Sequence, residues 1–553
     1  MSNANKNDIH WIKTGTACAG MIPAAFWNDP AQYLATHGRT LKSSGFHRET
    51  FVMDAGEDSN KVIVKYFTLG TLPEKIKWRM GVAAPRKEWE ILTILAESDV
   101  PVPPPVAFGW RNDGGTIHVW LLIEFIPGTV TFDQMNPPSD PSRLNAPAQT
   151  LADALARLHI AGAWHGDLHS GNLLFQPETG TWLITDFQHS RQGLPGRTEM
   201  VSDLVQLHHC LGKKVPLGVR ITFLRAYLDV IARLTDTEDR MEGNEWRILF
   251  DEIRTKSRQY SIQQARKRNK RSLAANRDFA ALQDWLAPKN IPAEFEQGWV
   301  CRSMSRQLAA DVVDLISDKT WFLDPDVQVL KNTGSAAVGI YTHPQGKLFI
   351  KQYRYKRSLR DRLRRFRHRS KAHVAWQASW RLCQLHIPTP RALMVVWTPR
   401  GGFLVQEYVP ELVTSDFALR SLTVPAFASQ RTHLIHMLAR ETAFMHDRAV
   451  AHRDLKGSNL AVSRLASPDV RVFLIDVHPV AFYAYLPWSV RMRDLARLFA
   501  ALYPFSTAAE QRYFLRVYLK YQTEPIDLRQ LIMDVRSRAE EKLYQKHGIR
   551  LGT

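Results

Sequence analysis

Cysteine is scarce in this chain, four residues in 553 (Cys18, Cys210, Cys301 and Cys383), and none sits at C-x-x-C or Cys/His ligand spacing. That argues against a zinc module or a disulfide framework and for a reducing compartment. No run of 18 apolar residues occurs, so no membrane-spanning helix is expected. The opening residues, MSNANKNDIHWIKTG, lack the apolar stretch of a secretion signal, and the expected location is cytoplasmic. Hydrophobic residues make up 45% and charged residues 23%, which excludes a disordered chain. At about 100–200 residues per domain, the length suggests three to five domains or two large ones.

Charge is not balanced, at +19, and two segments carry the excess. Residues 254–277 hold nine Lys/Arg and no acid; residues 351–371 hold eleven Lys/Arg and one acid, Asp361. Such segments suit an anionic partner: a membrane face, a phosphorylated or carboxylated substrate, or nucleic acid. Nothing else in the chain looks like a nucleic-acid module, so nucleic acid is not the expected partner. If helical, RSLRDRLRRFRHR (357–369) sets Leu359, Leu363 and Phe366 on one face, the pattern of a short interfacial helix or of a core-facing stripe with an Arg-rich outer face.

Self-comparison uncovers a duplication. VIVKYF (62–67) resembles LFIKQY (348–353), and EWEILTILAESDVPVP (88–103) aligns without gaps on AWQASWRLCQLHIPTP (375–390). LLIEFIPG (121–128) matches LVQEYVPE (404–411), HGDLHSGNLLF (165–175) matches HRDLKGSNLAV (452–462), WLITDF matches VFLIDV, and VSDLVQL matches MRDLARL. The offsets are 286 for Lys65/Lys351, 287 for Asp167/Asp454, 290 for Asp186/Asp476 and 291 for Asp203/Asp494. A period this long means two complete domains rather than a solenoid. The expected division is 1–285, a linker or extra helices over 286–325, and 326–553. Each copy reads as strands first (TFVMD, KVIVKYF and HVWLLIEF; then VQVLKN, LFIKQY and FLVQEY). An amphipathic helix lies among them (about 85–97 and 372–385), and a mostly helical half follows, an α+β layout in two lobes.

The order of these pieces resembles the protein-kinase fold over nearly the full length of both copies. Lys65 then fits the strand lysine that pairs with ATP phosphates, and Glu88 its helix partner. Asp167 fits the base that accepts the acceptor's proton, and Asn172 and Asp186 the oxygen ligands of Mg²⁺, a hard cation. The second copy supplies Lys351, Asp454, Lys456, Asn459 and Asp476 in the same order, with Lys456 where the first has His169 and within reach of the γ-phosphate. The resemblance also implies nucleotide contacts at Glu124 and Ile126 and at Glu407 and Val409. His165 and His452 are expected to be structural, and Asp203 and Asp494 to bond the catalytic-loop backbone.

Three pieces of the pattern are missing. Ala375 stands opposite Glu88, and no Glu occurs anywhere in 352–406. Neither KSSGFHRETF (42–51) nor KNTGSAAVGIY (331–341) is a full G-x-G-x-x-G loop, so each is equally a phosphate cradle or a plain hairpin turn. No A-P-E segment follows Asp186 or Asp476, which removes the platform that docks a protein substrate and points to a small-molecule or glycan acceptor.

The segments AWQASWRLCQLHIPTPRALMV, AFMHDRAVAHRDLKGSNLAV and VFLIDV resemble the bacterial lipopolysaccharide kinases, the Kdo and heptose kinases of the inner core, and the first copy looks like the same superfamily. That resemblance implies transfer of the ATP γ-phosphate to a sugar hydroxyl of the lipopolysaccharide core, with ATP and Mg²⁺. It also implies an anionic glycolipid as partner and a peripheral position at the inner face of the inner membrane. The alternatives are a kinase with a soluble acceptor, or one active copy beside a pseudokinase copy, the second by its Ala375.

Overall fold

The computed structural model describes residues 9–43, 48–56, 60–135, 141–211, 215–235, 245–286, 291–292, 295, 297–354, 370–398, 401–467, 469–522 and 527–547. The chain forms two compact units, Met1–Ser257 and Arg258–Thr553. Both mix a sheet-rich first part with a helical second part.

In the first unit, β1 (His10–Lys13), β2 (Arg39–Ser43), β3 (Arg48–Asp54), β4 (Lys61–Leu69), β5 (Pro105–Asp113) and β6 (Thr116–Glu124) make one sheet in the order β1-β5-β6-β4-β3-β2. Every neighbouring pair is antiparallel. Between β4 and β5 come α1 (Leu72–Arg79) and α2 (Ala84–Glu97). α2 begins with Pro85 in its first turn, where a missing N–H costs nothing, and buries Trp89, Ile91, Leu92 and Leu95. Asp99, in a left-handed conformation (φ 55°), turns the chain out of the helix into the proline run. The helical part comprises α3 (Asn145–Ile160), α4 (Arg197–Leu211) and α5 (Leu217–Leu234). A small sheet of β7 (Val130–Thr131), β8 (Leu173–Gln176) and β9 (Thr181–Ile184) carries the loops of the site. The division between the units falls within α6 (Glu245–Asn269).

The second unit repeats this plan. Its strands are β10 (Phe279–Ala281), β11 (Gln297–Cys301), β12 (Val327–Thr333), β13 (Ala336–His343), β14 (Gly346–Arg354), β15 (Ala392–Thr398) and β16 (Gly401–Glu407), in the order β10-β11-β15-β16-β14-β13-β12. With α7 (Arg306–Ser317) ahead of it, α8 (Lys371–Gln384) takes the place of α2 and likewise leaves through a left-handed residue, His386 (φ 57°). The paired strands β17 (Leu460–Ser463) and β18 (Arg471–Leu474) match β8 and β9. α9 (Ala428–Asp447), α10 (Trp488–Leu502), α11 (Ala508–Lys520) and α12 (Leu528–His547) complete the helical part.

The segment 286–325, expected as a linker or extra helices, holds the helix α7 and also a strand. Gln297–Val300 pair with β15 as β1 pairs with β5, and Val300, Met304, Leu308, Val312, Val313 and Ile316 join one apolar core. The segment therefore supplies β11, the strand next to the edge strand β10, and the compact unit begins at Arg258. The sequence hides this because PKNIPAEFEQG is locally turn-like, while the strand after it is defined only by a distant partner.

The basic segment 254–277 straddles the division: Arg254 approaches Asp251 (3.5 Å) and Lys256 approaches Glu252 (2.9 Å) within the first unit, and Arg258 approaches Asp447 (3.8 Å) within the second. Most of the other basic segment, including the interfacial-helix reading of 357–369, lies outside the described residues. Among the described residues no helix is long and apolar enough to cross a membrane.

Candidate active site

β4 puts Lys65 at the middle of the first sheet, opposite Leu121 of β6 and Thr50 of β3. Alternation along the strand turns Val62 and Val64 into the core and puts Lys65, itself buried, on the opposite face. Its ammonium ion-pairs with Glu88 of α2, both side chains being buried, and reaches Asp186 Oδ1 at 3.4 Å. A buried Lys is tolerated because two carboxylates surround it; one left unpaired there would be costly. Arg48, on the neighbouring β3, brings its guanidinium to the same Asp186 oxygen at 3.3 Å. Burial would push the Asp186 carboxyl up, but Lys65 and Arg48 outweigh it and hold the group below the usual carboxylate range.

Asp186 follows β9 and adopts the left-handed conformation (φ 68°), which Asp accepts more readily than most residues. The turn faces its carboxylate toward the loop after α3. There the Asn172 amide N–H donates to the Asp167 carbonyl (3.0 Å), so its Oδ1 is left as an acceptor. No hydrogen bond reaches Asp186 Oδ2 among the described residues, and these two oxygens fit the donor set of a hard divalent cation. The Asp167 carboxylate is half-exposed (46%), with the His169 ring at 3.9 Å.

The loop is held from beneath. Asp203 of α4 accepts from the backbone N–H of His165 (2.6 Å) and of Gly166 (2.9 Å), and from His159 (3.3 Å), whose other ring nitrogen meets the Tyr227 hydroxyl (2.7 Å). His165 Nε2 in turn bonds the Thr185 carbonyl (2.9 Å), tying this loop to the turn that carries Asp186. Burial lowers the pKa of His165, so the ring stays neutral and structural, as expected. Gly166 has φ 75°, and a Cβ there would lie 2.6 Å from the His189 carbonyl oxygen.

The second unit assembles the same parts around a different centre. Lys351 bonds Asp476 Oδ1 at 2.6 Å, and His478 Nδ1 meets that same oxygen at 2.8 Å. Burial would raise the Asp476 carboxyl, but the His478 hydrogen bond and the Lys351 charge hold it well below the usual range. Opposite Glu88's position, Ala375 is fully buried in a core with Tyr353, Ala372 and Trp376, so no carboxylate from α8 meets the lysine. Asp454 Oδ2 takes hydrogen bonds from Asn459 (3.1 Å) and Lys456 (3.0 Å). Asp494 accepts from the N–H of His452 (2.7 Å) and Arg453 (2.9 Å) and lies 3.7 Å from His446, which bonds the Tyr518 hydroxyl (2.8 Å).

Lys351, Asp476, Glu407 and Val409 all line one cleft of about 260 Å³, closed by Val338, Leu404, Tyr408 and Leu412. Glu124, the last residue of β6, and Ile126 just past it hold the equivalent place, and the Ile126 carbonyl accepts from the Thr129 hydroxyl (3.0 Å). The stretch 331–341 forms a tight hairpin in which Thr333 pairs with Ala336. The matching stretch in the first unit includes residues 44–47, outside the described residues.

Sequence reasoning missed Arg48, His478 and the His–Tyr supports. The supports had a signal: His159 precedes His165, and His446 precedes His452, by six residues, and Tyr227 and Tyr518 follow Asp203 and Asp494 by 24. Arg48 and His478 had none, since neither is repeated; Gln188 stands where the second copy has His478.

Residues 31–227, within the first unit, match the Lipopolysaccharide kinase (Kdo/WaaP) family, and the chain is lipopolysaccharide-kinase-like there. A 3-deoxy-D-manno-octulosonic acid kinase of Stenotrophomonas maltophilia (strain K279a) is 28% identical over 158 residues, 27% of this chain and 61% of the relative. One from Xanthomonas oryzae pv. oryzae (strain PXO99A) is 29% identical over 129 residues, 23% of this chain and 49% of the relative. The chain thus spans less than two thirds of the relatives it matches. A solved structure, WaaP in complex with acyl carrier protein, aligns at a TM-score of 0.33 and 18% identity, covering 45% of this chain and 98% of that one.

Proposed function

We propose that the chain is an ATP-dependent phosphotransferase built from two kinase-like domains, acting on a sugar hydroxyl of the lipopolysaccharide inner core, Kdo or heptose. The first domain carries the chemistry. The observation behind this is the buried Lys65–Glu88 pair set beside Asp186, with Asp167 and Asn172 on one loop, in the part of the chain that resembles Kdo kinases.

Lys65 would meet the phosphates of ATP, held at the right place by Glu88. Asn172 and Asp186 would hold Mg²⁺, which supplies neutralisation of phosphate charge. Asp167 takes the proton of the sugar hydroxyl as its oxygen bonds to the γ-phosphorus and the bond to the leaving ADP oxygen breaks. Its half-exposed carboxylate leaves room for an acceptor. Arg48, beside Asp186, adds a second positive charge facing the same phosphates.

A second reading concerns the second domain alone: it binds nucleotide in the cleft lined by Lys351, Glu407, Val409 and Asp476 with little or no turnover. Ala375 in place of the helix carboxylate favours it. Transfer of label from ATP to extracted lipopolysaccharide core, with Mg²⁺, tests both readings. Asp167→Asn is expected to lose on the order of 10²–10⁴-fold, whereas Asp454→Asn keeps a near wild-type rate. Equal losses would overturn the division of labour, and no labelling of core by wild type would overturn the acceptor.

A further inference from the structure

α1 sits between the strand that carries Lys65 and the helix that carries Glu88. Its start is capped by Glu74, whose carboxylate accepts from the N–H of Gly70 (3.1 Å) and Thr71 (2.9 Å) and from the Thr71 hydroxyl (2.7 Å). One side is anchored: the Trp78 ring packs on Phe108 and Trp110 of β5, centroids 6.3 and 5.9 Å apart. The other side is apolar and open. Leu72, Ile76 and Met80, at i, i+4 and i+8, form one stripe and are 72%, 48% and 69% exposed. A helix that turns its tryptophan to the protein and its aliphatic stripe to solvent has an unsatisfied face.

Charge says what covers it. Lys75, Lys77 and Arg79 flank the stripe, and none of them pairs with a carboxylate among the described residues. The one acid in the helix, Glu74, is turned back into the cap. Aliphatic residues on one face with Lys and Arg along its borders suit the boundary between acyl chains and anionic headgroups, where the stripe enters and the cations stay at the phosphates.

We propose that α1 is an interfacial helix that seats the first unit on an anionic lipid surface and so brings the Lys65–Asp167 site to a lipid-borne acceptor. The inference deepens the proposed function and rests on it for the acceptor being lipid-borne; the surface itself stands on the helix alone. The test is co-sedimentation of the full chain with vesicles of phosphatidylethanolamine and phosphatidylglycerol, against vesicles of phosphatidylcholine. Wild type is expected to bind the anionic vesicles. The triple variant Leu72→Ser, Ile76→Ser, Met80→Ser should bind them about tenfold less or weaker, and Lys77→Gln with Arg79→Gln should lose part of the affinity and much of its salt dependence. Both variants should phosphorylate deacylated, water-soluble core at the wild-type rate, which reports that they fold. Equal vesicle binding by wild type and triple variant overturns the proposal. So does a stripe-dependent dimer in light scattering without vesicle binding, which would assign the face to a second copy. If wild type binds vesicles through the stripe but labels no core, the proposed function falls and the interfacial helix stands.

Discussion

In the first unit Lys65 meets two carboxylates, Glu88 from a helix and Asp186 from a loop; in the second, Lys351 meets Asp476, and α8 offers it only Ala375. The consequence reaches past the lysine. α2 is tied to its sheet by a buried charge pair, so helix position and lysine position are set together. α8 is held by packing and by the Trp376 indole donating to the Ser272 carbonyl (2.9 Å), so its place in the unit is independent of Lys351. Beneath the H-x-D loop the units are more alike: in both, an Asp grips two consecutive amides and a His bonds a Tyr hydroxyl, although His159 bonds Asp203 (3.3 Å) while His446 stays 3.7 Å from Asp494. A shared plan therefore does not imply a shared lysine environment: the two differ at Glu88/Ala375, at Gln188/His478 and at Arg48, which has no repeated counterpart.

The largest effect that sharpens this contrast is expected at Glu88. Glu88→Gln should cut phosphoryl transfer by roughly a hundredfold through kcat, while Ala375→Gln should leave transfer unchanged, as read by initial rates at saturating ATP. A comparable fall for the Ala375 variant would break the distinction. Next in size, Asp203→Asn and Asp494→Asn should each lower the stability of their own unit by about 2–4 kcal/mol, since each turns one accepting carboxylate oxygen into an amide that faces a backbone N–H. Denaturant unfolding followed by tryptophan fluorescence measures both, and a gap above about 1 kcal/mol would mean the supports are not equivalent.

The smallest effect is in pH. Burial lowers the pKa of His165 in the first unit and of His446 and His452 in the second. The unfolded chain protonates these rings near pH 6.5, whereas the folded chain does so only at lower pH. As pH falls below about 6.5 the unfolded state binds more protons, so stability declines. His446→Gln should lower stability at pH 7 yet flatten the loss between pH 7 and 5. An unchanged slope would exclude His446 from the acid sensitivity.

Much of the site was legible in the sequence because it is repeated. The offsets paired Lys65 with Lys351 and Asp186 with Asp476, and the helices expected near 85–97 and 372–385 form over Ala84–Glu97 and Lys371–Gln384. Amphipathic helices closed by proline turns carry their own bounds. What escaped depends on partners far along the chain. β5 and β15 are buried along most of their length and lack the alternation that marks a strand, and β11 is a strand only because β15 lies beside it. Arg48 acts on a residue 138 positions away.

The Asp494 support bears on how such chains diverge. By gripping two consecutive amides of the H-x-D turn, it makes that loop a requirement of folding, whatever the loop does for a substrate. A duplicate relieved of catalysis would still be selected to keep the turn, because losing its shape would cost the unit its stability. The familiar signature can thus outlive the reaction as scaffolding, and the residue free to drift first is one whose only task is to aim a lysine.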